Sequence, residues 1–336
     1  MSSGDRKLLR VGIGFGGEFA FGEMIKQVKA CEKEGFDSVW IAEDYFLRDA
    51  VSVAAGFASL TRKMKICLGI VNPYTRNPAL LAMTIATLDE IANGRLVFGI
   101  GTGVKSKHER IGLKADKRLA AIRDTVEIVR RLMKRENVTY RGLAFRIESV
   151  RLGFTPQREK VPIYLAAVGP KMLQLAGQIA DGVLLTAASS PKYVRMAVDN
   201  IRIGAEESDR DPSSIDIACY IVCSVSDRSD KAFEAARRAV AANVSPAEYG
   251  RLMLEETGLD GSIFDRLRQV NADEESAEIS SQVVTDEVVD ALSASGTPRR
   301  FRERLHEYMS SGVTLPIIYP VGSCLDRVIN SLRQFR

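Results

Sequence analysis

Residues 66–106 read ICLGIVNPYTRNPALLAMTIATLDEIANGRLVFGIGTGVKS, and this stretch sets the pattern for the whole chain. Two short apolar runs flank a longer stretch whose apolar residues recur at helical spacing. This order of strand, helix and strand is typical of a βα unit in a parallel sheet, where strands are covered on both faces. The first run leads into Asn72 and Pro73 and the second into Gly101 and Gly103, so each predicted strand ends in turn-forming residues.

The same unit recurs along the chain. Apolar runs that read as strands occupy residues 10–15, 38–42, 65–71, 95–100, 162–166, 182–186, 215–225 and 313–319. Amphipathic patterns follow most of them, for example at residues 21–34 and 116–134. Eight βα units predict an α/β protein, and they favour a closed (β/α)8 TIM barrel over an open doubly wound sheet.

One region departs from this period. Residues 244–295 are charged and mixed, and they predict one or two helices between the seventh and eighth strands. We interpret this region as an insertion on the catalytic face, although it would also fit an extension of the seventh helix. Because there are no internal repeats and no low-complexity linker, we expect residues 1–336 to form a single domain.

Composition excludes several classes of protein. The chain has 336 residues, of which 46% are hydrophobic and 27% charged, and its net charge of +4 does not indicate a nucleic-acid partner. No apolar run reaches about 18 residues and the N-terminus lacks a signal-peptide core, so we expect a cytoplasmic protein without a membrane span. Five cysteines without metal-ligand spacing and only two histidines predict reduced core thiols and no metal site.

The ligand site of a TIM barrel is built by the loops that follow the strands. Asn72, Tyr74, Thr102 and Gly103 all fall in such loops, so we expect them on one rim. Glycine backbone there would let a flat or phosphorylated ligand approach closely. The alternative is that these glycines only form turns.

Two further strand ends carry polar residues. Glu43 and Asp44 follow the second strand, where they could cap a helix or face the pocket as acid-base groups. After the fifth strand, Gly169 and Lys171 flank Pro170 at a predicted helix start. That position suits a phosphate group, or it is an ordinary helix opened by proline.

These motifs carry a family resemblance. The segments GFDSVWIAEDYF, residues 68–103, VPIYLAAVGPKMLQLAG and ADGVLL resemble, in order and spacing, the luciferase-like flavin and deazaflavin oxidoreductases. Within them the chain is most similar to the 5,10-methylenetetrahydromethanopterin reductases. The resemblance implies a luciferase-type TIM barrel that uses coenzyme F420 to transfer hydride to or from a pterin-like one-carbon carrier, in a dimer or tetramer. An FMN-dependent monooxygenase and a non-catalytic flavin-binding protein are the alternatives.

The resemblance also implies roles for particular residues. It predicts a cis peptide between Gly69 and Ile70 that backs the cofactor ring, with Asn72 bonded to the ring or its tail. The other implied cofactor contacts are Glu43, Thr102, Gly103, Val168, Gly169, Lys171 and Met172, the last four near the phosphate.

The chain departs from the family pattern at the acids. It has Glu43 and Asp44 where deazaflavin relatives commonly carry Asp-His, Gly14 where the methylene reductases carry a glutamate, and Val104 where a sugar-phosphate dehydrogenase branch carries another. With no histidine expected on the rim, we predict that Asp44 handles the proton, with Glu18 as the second choice.

Overall fold

Eight parallel strands close into a barrel in the order β1-β10-β9-β8-β7-β4-β3-β2. A computed structural model describes residues 10–244, 249–270 and 283–334 of the chain. The barrel strands are β1 Gly12–Phe15, β2 Ser38–Ile41, β3 Lys65–Val71, β4 Leu96–Ile100, β7 Ile163–Ala166, β8 Gly182–Leu185, β9 Asp216–Cys223 and β10 Leu315–Pro320. All eight predicted strands are present, so the predicted TIM barrel is confirmed.

Helices alternate with these strands and cover the outside of the barrel. They are α1 Phe21–Lys33, α2 Ala50–Leu60, α3 Pro78–Ile91, α4 Lys105–Arg110, α5 Arg118–Met133, α6 Pro170–Ile179, α7 Pro191–Glu206, α8 Ser229–Val244, α9 Gly250–Glu255, α10 Ser262–Val270, α11 Asp286–Leu292, α12 Pro298–Ser310 and α13 Leu325–Arg333. The helices α9 to α11 fall within residues 244–295, where the sequence predicted helices. Residues 245–248 and 271–282 of that range lie outside the described residues.

A small antiparallel hairpin between α5 and β7 was not predicted. Its strands are β5 Val138–Arg141 and β6 Arg146–Val150. The buried carboxylate of Asp124 on α5 holds the turn, because it accepts hydrogen bonds from the Ala144 and Phe145 N–H groups at 2.8 and 3.0 Å. An added Cβ at Gly142 would lie 2.2 Å from this carboxylate, which explains the glycine in the turn.

Aromatic side chains fill the barrel interior. Trp40 lies between Tyr164 and Tyr220, with ring centroids 5.6 and 6.5 Å away. All five cysteines are buried and have free thiols. Within the described ranges, no helix is long and apolar enough to cross a membrane, and no cluster of three or more histidine, cysteine or acidic residues could hold a metal ion.

A polar network closes the end of the barrel where the strands begin. The carboxylate of Asp216, the first residue of β9, accepts hydrogen bonds from Arg10 Nη1 at 2.8 Å and Arg10 Nη2 at 2.6 Å. The hydroxyl groups of Tyr164 and Thr314 also donate to it. Burial alone would raise the pKa of this carboxyl group, but the hydrogen bonds and the guanidinium charge outweigh burial and lower it.

This network predicts a pH-dependent contribution to stability. The change Asp216→Asn should lower the free energy of unfolding by about 2–4 kcal/mol near neutral pH, because the Arg10 guanidinium loses its nearest carboxylate and keeps only Asp37, 3.6 Å from its Nε. A carboxyl group with a lowered pKa stabilises the folded state above its unfolded pKa, and this contribution disappears as the pH falls through the folded value. Urea unfolding at several pH values measures the difference.

The matched control is Asp199→Asn, which removes an exposed carboxylate 3.5 Å from Arg202 and should change stability by less than about 1 kcal/mol. A loss for Asp216→Asn that is the same at neutral and acid pH would contradict the account.

Candidate active site at the barrel mouth

The carboxyl ends of the eight strands open at one end of the barrel, which we call the barrel mouth. Its loops comprise residues 16–20 after β1, 42–49 after β2, 72–77 after β3, 101–104 after β4, 167–169 after β7, 186–190 after β8, 224–228 after β9 and 321–324 after β10. All the site residues predicted from the sequence lie in these loops, next to them, or in the last residues of β3. In TIM-barrel enzymes this end carries the active site.

An irregularity in β3 shapes the floor of the mouth. The Gly69–Ile70 peptide is cis, as predicted, and the register of β3 against β4 shifts after Leu68. An added Cβ at Gly99 would lie 2.0 Å from the Leu68 carbonyl oxygen, and one at Gly101 would lie 3.2 Å from the Ile70 side chain. The close approach of β3 therefore requires glycine at position 99, whereas Gly101 lies in a tight position between Ala166 and Ile70.

Tyr220 of β9 fills the barrel directly beneath this floor. Its hydroxyl donates a hydrogen bond to the Gly69 carbonyl oxygen at 3.2 Å. An added Cβ at Gly14 would lie 2.5 Å from the Tyr220 ring, and one at Gly69 would lie 2.6 Å from its hydroxyl. The structure thus explains the missing acid of the first strand, because the tyrosine occupies the space that a side chain at Gly14 would need.

Glu43 combines burial with an unsatisfied oxygen. Its Oε1 lies 3.3 Å from Arg76 Nη2, whereas its Oε2 is buried and has no hydrogen-bond partner among the described residues. Burial raises the pKa of Glu43, and the nearby Arg76 guanidinium only partly opposes this effect. Glu43 is therefore a half-buried carboxyl group at the mouth with a raised pKa, which makes it a candidate for proton transfer.

The two acids that the sequence proposed for proton transfer are both engaged at the rim. Asp44 forms an ion pair with Lys107 of α4. The exposed Glu18 accepts a hydrogen bond from the Tyr319 hydroxyl at 2.8 Å. Burial raises the pKa of Tyr319, and the charges of Glu18 and Asp44 raise it further, so both carboxylates lie near this hydroxyl. Asp44 and Glu18 therefore share one side of the mouth.

The expectation that no histidine reaches the rim was wrong. His108 of α4 is fully buried beside the mouth, and its Nε2 lies 2.9 Å from the Tyr45 hydroxyl. Asn72 Nδ2 donates to the same hydroxyl. Gly103 has a φ of +64°, and an added Cβ there would lie 2.8 Å from His108 Nε2. The short helix α4 folds back over the end of β4, and Gly103 makes room for its histidine.

Asn72 also closes the turn after β3. It is only 2% exposed, and its Oδ1 accepts hydrogen bonds from the Tyr74 and Thr75 N–H groups at 3.0 Å each. Thr102 lies half-buried at the end of β4, where its neighbours are glycines. Asn72 therefore fixes the shape of the rim, whatever it contributes to a ligand.

The start of α6 offers an open, positively charged helix end. Gly169 is the N-cap without a side-chain cap, and an added Cβ there would meet none of the described residues within 4 Å. Lys171 is exposed in the first turn, while Met172 is half-buried. The Val168 carbonyl oxygen accepts a hydrogen bond from Tyr193 at 2.7 Å, which fixes the loop. This arrangement can receive an anionic group.

Exposed apolar side chains border the mouth. Phe46 and Leu47, directly after the β2 acids, are 59% and 47% exposed. The Arg110 guanidinium of α4 lies 4.7 Å from the centroid of the Phe46 ring. Large exposed apolar residues next to buried polar groups are typical of a surface that contacts a ligand.

Comparison with known proteins places the chain in a family. The family model described as luciferase-like monooxygenase matches residues 9–315. The chain belongs to this family. A 5,10-methylenetetrahydromethanopterin reductase of Archaeoglobus fulgidus is 38% identical to it over 94% of each chain. An F420-dependent glucose-6-phosphate dehydrogenase of Kineococcus radiotolerans is 25% identical, over 93% of this chain and 91% of the relative.

The fold agrees with this membership. The solved structure of a coenzyme F420 dependent tetrahydromethanopterin reductase from Methanopyrus kandleri superimposes with a TM-score of 0.88 at 29% identity. The match covers 97% of this chain and 98% of that one. The resemblance inferred from the sequence motifs is therefore confirmed.

The packing of Tyr220 against Gly14 can be tested by one methyl group. The change Gly14→Ala should lower the free energy of unfolding by about 1–3 kcal/mol, because the added carbon has no room beside the ring. The control Gly22→Ala adds a methyl group in α1 where nothing lies within 4 Å, and it should stabilise the protein by about 0.5–1 kcal/mol. Denaturant unfolding measures both, and unchanged stability of Gly14→Ala would show that Tyr220 can move aside.

Proposed function

We propose that this protein is a coenzyme F420-dependent oxidoreductase that transfers hydride between the deazaflavin and a methylenetetrahydromethanopterin-like substrate. The observation that carries the proposal is the 38% identity, across 94% of both chains, to the reductase of Archaeoglobus fulgidus. The structural match to the reductase of Methanopyrus kandleri supports it. The family alone would also fit an FMN-dependent monooxygenase or a non-catalytic flavin-binding protein.

The residues at the mouth fit a flat, phosphorylated cofactor. The buried Oε2 of Glu43 has no hydrogen-bond partner among the described residues, and a ligand could supply one. The uncapped start of α6 has open space beside Gly169. The deazaflavin supplies hydride chemistry when bound. We propose that Gly69 and Ile70 back its ring and that Lys171 and the start of α6 hold its phosphate. The remaining proposed contacts are Glu43, Asn72, Thr102, Gly103, Val168 and Met172.

The proton-handling residue that the geometry favours is Glu43. The sequence favoured Asp44, which stands where relatives carry a histidine, with Glu18 second. Asp44 forms an ion pair with Lys107 and Glu18 accepts from Tyr319, whereas Glu43 has a raised pKa and a buried free oxygen. We therefore propose that Glu43 holds the proton and that Asp44 anchors α4 to the rim.

Cofactor binding tests the phosphate contact and the choice of cofactor. Fluorescence titration should show tighter binding of F420 than of FMN. The change Lys171→Ala should weaken F420 binding by about 1.5–3 kcal/mol, the range for a hydrogen bond to a charged group. Lys29→Ala removes the same charge from the exposed surface of α1 and should leave the affinity unchanged. Equal affinities of Lys171→Ala and the parent would place the phosphate elsewhere.

Turnover tests the reaction and the acid. Without oxygen, the parent should oxidise reduced F420 when methylenetetrahydromethanopterin is added. Glu43→Gln should lower kcat by about 100- to 10,000-fold, and Asp44→Asn should lower it much less. Because the pKa of Glu43 is raised, its proton persists to higher pH than that of an exposed glutamate. The alkaline fall in kcat/KM should therefore be missing from the residual activity of Glu43→Gln.

If Asp44→Asn lowered kcat by a larger factor than Glu43→Gln, Asp44 would be the proton-handling residue instead of Glu43. Oxygen-dependent turnover with reduced FMN and none with F420 would contradict the proposed function.

A further inference from the structure

A cavity lies on the outside of the barrel between α7 and α12, and Ser190, the last residue of the mouth loop after β8, borders it. We call it the outer cavity, and its volume is about 510 Å³. Its walls include Lys192 and Arg195 of α7, and Arg304, His306 and Ser310 of α12, with Thr257 at one edge. This volume lies within the range of about 300–1,000 Å³ that small-molecule sites occupy.

Two positive charges in the outer cavity have no acidic partner. Lys192 and Arg195 stand three positions apart on α7, so their side chains share one face of the helix. Throughout the part of the chain that the structure describes, the Lys192 ammonium has no hydrogen bond or ion pair. The Arg195 guanidinium donates to Ser311 Oγ at 2.9 Å and contacts no carboxylate there.

Glu307 is the one carboxylate among the described residues that line the cavity, and it is already paired with other arginines. Glu307 Oε2 accepts a hydrogen bond from Arg304, and its Oε1 lies 3.6 Å from Arg300 Nη1. Arg304 is buried, and it is held in place by further bonds to the backbone oxygens of Ser293 and Ala291 at 3.2 and 2.8 Å. Glu307 therefore does not neutralise the two free cations across the cavity.

Among the residues that the structure describes, the other groups that line the cavity add donors and no further carboxylate. His306 Nδ1 lies 3.2 Å from Ser310 Oγ on the exposed face of α12. Glu256 is close enough to raise the pKa of the buried Tyr193, after the larger effects of burial and Cys219, but it does not line the outer cavity. An ammonium, a guanidinium, an imidazole and a hydroxyl group thus line a cavity with surplus positive charge.

We propose that the outer cavity binds a small anion that carries more than one phosphate charge. Arginine and lysine together are the residues that proteins use for phosphate, because the guanidinium matches its oxygens and the ammonium supplies a compact charge. The volume exceeds what a single inorganic ion needs and accommodates a sugar phosphate or a nucleotide. No residue of this site belongs to the proposed cofactor site, so the two proposals stand independently.

Inorganic pyrophosphate is the probe for this site. We compare the parent with Lys192→Met/Arg195→Met, which keeps the aliphatic stems, in phosphate-free buffer of low ionic strength. Pyrophosphate should raise the unfolding temperature of the parent, because a ligand that binds only the folded state stabilises it. Calorimetric titration should show affinity at least about tenfold weaker in the double variant, since charge-assisted hydrogen bonds are lost.

The matched control is Arg202→Met on the same helix. Arg202 lies two turns further along α7, pairs with Asp199 and Glu206 and does not line the outer cavity, so its loss should leave pyrophosphate binding unchanged. Without pyrophosphate, the double variant should unfold at the same temperature as the parent or a higher one, because removing uncompensated like charges relieves repulsion. A lower temperature would show that the pair serves stability instead, and would overturn the proposal.

Two further results would overturn the proposal. One is equal pyrophosphate affinity in the parent and the double variant, and the other is no binding by the parent at millimolar pyrophosphate. F420 titration of the double variant separates this site from the mouth, because unchanged F420 affinity is expected whether or not the proposed function is correct. Loss of F420 affinity would make the outer cavity part of the cofactor site and would overturn its independence.

Discussion

The Tyr220 ring packs against the irregular segment of β3 directly below the barrel mouth. Together they leave no room for a side chain at Gly14 or Gly69, and β3 excludes one at Gly99. This packing gives the mouth a floor made of backbone and of the Ile70 side chain. It also removes the position from which the first strand could supply an acid, so Glu43, Asp44 and Glu18 in the loops after β2 and β1 are the acids placed at the mouth.

The carboxylates of Asp216 and Glu43, at opposite ends of the barrel, have opposite pKa shifts. At the closed end, Asp216 receives hydrogen bonds from three side chains, and its pKa is lowered. At the mouth, Glu43 has a buried oxygen without a partner in the described part of the chain, and burial raises its pKa. A satisfied carboxylate stabilises the fold, whereas an unsatisfied one costs stability and retains the capacity to bind a proton or a ligand. This contrast is the physical reason for placing the chemistry at the mouth and on Glu43.

The sequence was sufficient for the barrel and the family, because strand and helix periodicity are local properties and the motif around residues 68–103 is specific. It could not reveal contacts between distant parts of the chain. The Tyr45 and His108 pair is separated by 63 positions, and the bond from Tyr220 to Gly69 by 151. Gly99 shows the same limit, since the sequence suggested ligand approach or a turn for it, whereas the packing of β3 requires a glycine there. The β5–β6 hairpin was missed because its short, exposed strands depend on Asp124.

We propose that a deazaflavin ring lies on the floor formed by Gly69 and Ile70, with its phosphate at the start of α6. The decisive measurement is a crystal structure of the protein grown with coenzyme F420. We expect density for the ring against the Gly69–Ile70 segment, beside the Glu43 carboxyl group, and density for the phosphate within hydrogen-bond distance of Lys171. A ring bound away from β3, or a phosphate held by the outer cavity instead of α6, would contradict it.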